Sequence, residues 1–112
     1  MLTFDIARMQ AHEYDQREKS VFYEKPEFKM RIVDLAPGRS MPRCDMMSHV
    51  VFVCVEGEVE VSVGVDKATI SKGQCLVTMP AMISMRTKSG ARLLGIQITS
   101  RSTNMDGETA GE

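Results

Sequence analysis

The chain reads as an all-β protein, a barrel or a sandwich. Short apolar or alternating runs recur about every eight to twelve residues, as strands of such folds do. Gly-, Pro- and Asp-containing turn signals separate them. No segment keeps a helical period long enough to carry a crossover between parallel strands. At 112 residues, the chain is one domain with a modest core.

The elements follow in order. Residues 1–19 mix acids, bases and apolar residues, and "IARMQA" offers a short helical turn. "SVFYEK" and "FKMRIVDL" are β-rich runs split by the turn signal Lys25-Pro26-Glu27. "APGRSMP" ends the second run, because Pro37-Gly38 sets a turn and Pro42 cannot donate to a ladder. "HVVFVCV" is nearly continuous apolar, as suits a strand buried on both faces, and Glu56-Gly57 turns it. "EVEVSV" alternates as a half-buried strand does, and "GVDK" is its hairpin tip. "ATIS" runs to the turn at Lys72-Gly73, "QCLVTM" is a strand ending at Pro80, and "RLLGIQITS" is the last strand. The organisation predicted is an N-terminal segment over 1–19, a barrel over 20–101 and a flexible, polar and acidic tail over 102–112.

Fourteen Lys and Arg against fifteen Asp and Glu leave a net charge of −1, which favours neither nucleic acid nor a membrane surface as partner. No apolar run reaches the length of a membrane span. The N-terminus has no apolar signal core, so a cytoplasmic protein is expected. Cys44, Cys54 and Cys75 are odd in number and form no CxxC pair, which fits reduced thiols. No phosphate-binding Gly pattern and no basic stripe is present. Ten Met and no Trp is the unusual feature, and Met41, Met46, Met47, Met79, Met82 and Met85 fall in two short clusters.

"APGRSMPRC", "VVFVCVEGEVEVSVG" and "KGQCLVTMPAMI" together resemble the two motifs of the cupin superfamily. Pro37-Gly38, Pro42, Glu56-Gly57, Gly73 and Pro80 fall in the order and spacing of that pattern, and the likeness covers roughly Phe28 to Ile98. The resemblance implies a cupin-type jelly-roll β-barrel (a double-stranded β-helix) with a central pocket. It also implies a dimer built through an outer sheet, and a C2 homodimer is expected. Val51, Val53 and Val55 support this, because their face needs cover either from the N-terminal strands or from a second subunit.

The family's metal ligands are replaced. Aligned on the motif turns, the histidine pair falls on Cys44 and Met46, the acid at His49 or Val50, and the last histidine on Met85 or Ser84. Thioether sulfur is a poor ligand for Mn(II) or Fe(II), so a metal-dependent activity of the dioxygenase or oxalate type is not expected. Cys44, Met46, His49 and Met85 are soft donors that select Cu(I) if they converge. The simpler reading is that Met and Cys fill an apolar pocket that has lost its metal. Strand parity sets Cys44 and Met46 on one face with Val50, Phe52 and Cys54, and sets His49 on the other unless a bulge intervenes. The expected pocket lining is Cys44, Met46, His49, Val50, Phe52, Met82, Ser84 and Met85.

Three functions remain open. The chain is a non-catalytic barrel that binds or senses a small molecule with no cofactor. It is alternatively a copper-binding protein using the Cys, Met and His set. A third reading is a metal-independent isomerase or lyase with His49 as base and Cys44 as acid or nucleophile. Cys54 and Cys75 read as core residues, His12 as solvated, Asp34 and Glu60 as exposed-face charges, and Arg86 as one half of a surface salt bridge.

Overall fold

The computed structural model describes residues 1–12 and 14–99, with only the backbone of residues 14 and 15. The tail expected over 102–112 and the last two residues of the expected barrel, 100 and 101, lie outside the described residues. Eight strands follow a short, kinked 3-10 segment (Tyr14–Ser20): β1 (Val21–Glu24), β2 (Phe28–Leu35), β3 (Ser40–Met46), β4 (His49–Val63), β5 (Asp66–Ser71), β6 (Cys75–Thr78), β7 (Ala81–Arg86) and β8 (Ala91–Ile98).

β4 decides the architecture. Its β-branched run does not end at Glu56-Gly57, as the turn signal suggested, but continues for 15 residues. The register against β8 shifts between Cys54 and Glu56, and Gly57 has φ +79°. The result is a bend rather than a hairpin. A Cβ at Gly57 would stand 2.0 Å from the carbonyl oxygen of Gly90, so only glycine lets the bent strand approach the loop before β8. The thiol of Cys54 lies within donating distance of the carbonyls of Glu56 (3.4 Å) and Gly57 (3.5 Å) at the bend.

The bend lets one strand serve two antiparallel sheets. The first half of β4 pairs with β8 and β6, and β8 continues through β2 to β1. The second half pairs with β5 and β7, and β7 continues to β3. The sheet curls on itself as a jelly-roll barrel. Val50, Phe52, Cys54, Val59, Val61, Ile83, Met85 and Leu93 fill its interior, each nearly or fully buried. Burial of each large apolar side chain among them contributes about 1.5–3 kcal/mol.

The structure departs from the sequence reading at further points. Pro42 does not end pairing: β3 starts before it, and the register against β7 shifts between Met41 and Cys44, so Pro42 sits where no ladder donor is needed. "AMISMR" forms β7, because Met82, Ser84 and Arg86 alternate with the inward Ala81, Ile83 and Met85. Cys75 is exposed, since it lies opposite Val53 on the outer face of the first sheet. The N-terminal strands flank β4 rather than cover it, because β2 reaches it only through β8. "IARMQA" does turn, with the Met9 amide donating to the Asp5 carbonyl at 3.1 Å, but the 3-10 segment lies beyond it.

Candidate functional site

A cavity of about 260 Å³ opens between β2 and β3, under the 3-10 segment. Two strands give it different walls. β3 supplies Met41, Cys44 and Met46, with the Cys44 thiol donating to the Met46 sulfur at 3.8 Å. β2 supplies Lys29, Arg31, Ile32, Val33, Asp34 and Leu35, and Phe52 closes the floor. Gln97 of β8, opposite Lys29, adds an amide. His12, Arg17, Glu18 and Ser20 form the roof, where the His12 amide donates to the Ser20 hydroxyl at 2.8 Å.

Of the pocket residues expected from the sequence, Cys44, Met46 and Phe52 line this cavity. Val50 faces inward between Thr78 and Gln97, deep in the core and outside the lining. Met85 is 2% exposed and lies opposite Met41, in the core. Met82 is exposed, and Ser84 lies in an outer groove with Ser62 and Lys67. His49 is exposed, opposite the partly exposed Ile98. The break at Met47 and Ser48 preserves its outward parity, so no bulge carries its imidazole to Cys44. The structure thus brings two members of the soft donor set together, Cys44 and Met46, and puts His49 on the outer surface.

The sequence reading missed the β2 wall and the roof. Lys29 and Arg31 alternate with Phe28, Met30 and Ile32, so the pleat rule by itself sends the charges outward. His12 is half-buried at the roof rather than solvated. Arg86 does form the expected surface pair, donating from Nε to Glu60 Oε1 at 2.7 Å. It stands in an open groove outside the barrel. The three cysteines differ in setting: Cys75 is exposed, Cys44 half-buried and Cys54 1% exposed. Burial pushes the Cys54 thiol up from its ordinary value. The Glu56 and Glu58 carboxylates add to the rise, and a backbone hydrogen bond at Glu56 offsets part of it.

No family sequence model and no curated protein sequence matches the chain. Solved structures do. A cupin superfamily protein of Desulfitobacterium hafniense is similar over 71% of this chain and 74% of its own, at 14% identity and TM-score 0.66. A cupin-2 domain protein of Shewanella frigidimarina is similar over 70% and 78%, at 15% identity and TM-score 0.60. The chain has the cupin fold. A protein of Thermus thermophilus extends the likeness over 88% of this chain and 97% of its own, at 24% identity and TM-score 0.75. At these identities the likeness is one of fold.

The hard divalent metal that the cupin resemblance implies does not fit these residues. The groups at the pair position are a thiol and a thioether, and soft sulfur is a poor match for Mn(II) or Fe(II). Among the described residues, no three His, Cys, Asp or Glu side chains converge as metal ligands would.

Proposed function

We propose that this cupin barrel is a non-catalytic protein that binds or senses a small organic molecule. The cavity carries the reading: about 260 Å³, walled by Met41, Cys44, Met46, Val33 and Leu35 over Phe52. That volume lies just below the range of about 300–1,000 Å³ typical of drug-sized ligands, so the ligand is a small one. Met suits such a wall because its flexible thioether adapts to different shapes. A lyase or isomerase built on His49 and Cys44 has little support, since His49 stands outside.

Methyl NMR of methionine-labelled protein tests the reading. Titration with a library of fragments, charged and neutral, is expected to shift the Met41 and Met46 methyl resonances and to leave the exposed Met47 and Met79 in place. A library that moves neither Met41 nor Met46 overturns it.

One observation favours a second reading, Cu(I) binding: the sulfurs of Cys44 and Met46 lie 3.8 Å apart in one cavity. An anaerobic Cu(I) titration is then expected to show one tightly held ion per chain, lost in Cys44→Ser and in Met46→Leu. Retention unaffected by both substitutions removes this reading.

We also propose a C2 homodimer in the cytoplasm. On the outer face of the first sheet, Val77 is 69% exposed and lies opposite Val51, which lies opposite Ile96. Such a row gains from a second copy. A sedimentation mass of one chain at micromolar concentration rejects the dimer. The three free cysteines support a reducing compartment. No described helix is long and apolar enough to cross a membrane.

A further inference from the structure

β2 faces the opposite way from what its composition suggests. Cross-strand partners share a face of a sheet. Leu35 lies opposite Ala91 and Val33 opposite Leu93, all in or against the core. By the same register Arg31 lies opposite Gly95, and Lys29 opposite Gln97. Two cations therefore point into the barrel, while Phe28, Met30 and Ile32 point out.

The outward apolar face is covered, which makes the inversion tolerable. Phe4 packs edge-on to Phe22 with ring centroids 4.8 Å apart and against Tyr23 at 6.1 Å, and Tyr23 packs on Phe28 at 5.7 Å. Arg92, on the outer face of β8, donates from Nη1 to the carbonyls of Ile6 (3.0 Å) and Met9 (2.6 Å) and from Nη2 to Asp34 (3.2 Å). These bonds tie the N-terminal segment to that face, and Ile32 is only 2% exposed.

Inside, Gly95 makes room for the cation. A Cβ there would stand 3.3 Å from Phe52 Cε1 and 3.7 Å from Arg31 Cγ, so the stem of Arg31 runs beside the Phe52 ring at the floor. Among the described residues, the guanidinium has no ion pair and no hydrogen bond. The nearby acids leave it so. Asp34 is engaged by Arg92, and Lys29 holds Glu24 at 3.8 Å. Glu18 and Asp45 stand exposed at the rim and make no ion pair with it. A half-buried guanidinium without a partner loses hydration that nothing among the described residues restores.

We propose that the ligand of this cavity is a small organic anion, a carboxylate or similar oxyanion with an apolar body, and that Arg31 holds its charge. The inference rests on the small-molecule reading above and names the class of molecule. The planar guanidinium offers a fork of donors matched to a carboxylate. Lys29 adds positive charge and Gln97 a further donor, while Val33, Met41, Met46 and Phe52 receive the apolar body.

Matched acids and primary amides test it: benzoate with benzamide, and cyclohexanecarboxylate with its amide, read by the Met41 and Met46 methyl shifts. In the wild-type protein each acid is expected to bind about tenfold or more tighter than its amide, the contribution of one charge-assisted pair. The preference falls to about onefold in Arg31→Gln and survives in part in Arg31→Lys, as a point charge allows. The wild-type Arg31 Nε–H resonance shifts with benzoate and not with benzamide, a readout that does not depend on the variants folding. Equal binding of acid and amide, or an acid preference that persists in Arg31→Gln, overturns the proposal and leaves the small-molecule reading standing. So does a cavity that takes neutral fragments but neither acid. Silence of both methyls toward every fragment overturns both.

Discussion

β4 turns Val50, Phe52 and Cys54 into the barrel and leaves Val51 and Val53 half-buried outside. β2, one strand beyond β8, turns Lys29 and Arg31 in and Phe28 and Met30 out. Both obey the two-residue pleat, and both have an apolar and a less apolar face. The difference lies in what covers the outside. The outer face of β4 has no described segment tied over it, so its bulkiest apolar set goes in. The outer face of β2 carries the N-terminal segment and the aromatic group of Phe4, Phe22 and Tyr23. That cover frees the inner face of β2 to carry charge. In this barrel the inner face of β4 packs the core, while the inner face of β2 carries two cations.

The largest effect that can break this comparison is at Phe52. Phe52→Ala should cost about 4 kcal/mol in chemical denaturation, as deletion of a buried ring does. Arg31→Leu, one face and two strands away, should leave stability within about 1 kcal/mol of wild type or raise it, since it removes an unpaired, half-buried cation. If Arg31→Leu destabilises as much as Phe52→Ala, then β2 also serves the core and the division of labour fails.

Gly57 comes next. Gly57→Ala should cost about 3 kcal/mol or more, because the new methyl meets the Gly90 carbonyl at a positive φ. Gly64→Ala, also at positive φ but in open space, should cost about 1 kcal/mol by the same denaturation measurement. Equal losses would mean that the bend of β4 tolerates a wider approach than the structure shows.

Arg92→Ala sharpens the β2 side. It removes the bonds to Ile6, Met9 and Asp34 and should cost about 2 kcal/mol. Faster amide hydrogen exchange should be confined to the N-terminal segment and β2, with β4 unchanged. Uniform acceleration across both strands would show that the cover is not a separate unit.

The smallest effect is the pH response of Cys54. Its native pKa is raised, so its contribution to stability is fully present below the ordinary thiol range. It is lost as pH rises through that range toward the native value. Denaturation midpoints should therefore fall on the alkaline side in the wild type. Cys54→Ala should lower the plateau and remove that component of the slope. A slope that persists unchanged in Cys54→Ala assigns the alkaline loss to other groups.

Much of the fold was legible because turns are local. Gly64 with positive φ closes the expected hairpin, and "FKMRIVDL" forms a strand over its whole length. Parity alone placed Cys44 and Met46 with Phe52 on one face and His49 on the other. Glu56-Gly57 misled because a Gly at positive φ serves a bend as well as a turn, and only the partner strands distinguish them. "AMISMR" went unread as a strand because its inward Ala81, Ile83 and Met85 alternate with a Met, a Ser and an Arg, a weak contrast. Arg31 and Lys29 went unread because part of their neighbours' cover comes from Phe4 and the segment held by Arg92, which are distant in the chain.

The sequence by itself determined the all-β class and most strand positions, since these follow from periodicity and turn chemistry. Only the tertiary structure decided which face of β2 is inside, that β4 bends to serve both sheets, and that Arg31 stands beside Phe52 with no ion pair among the described residues. Each of these depends on which surfaces meet across the barrel. A two-residue alternation fixes that two faces differ, but which of them is buried is settled by whatever packs against each.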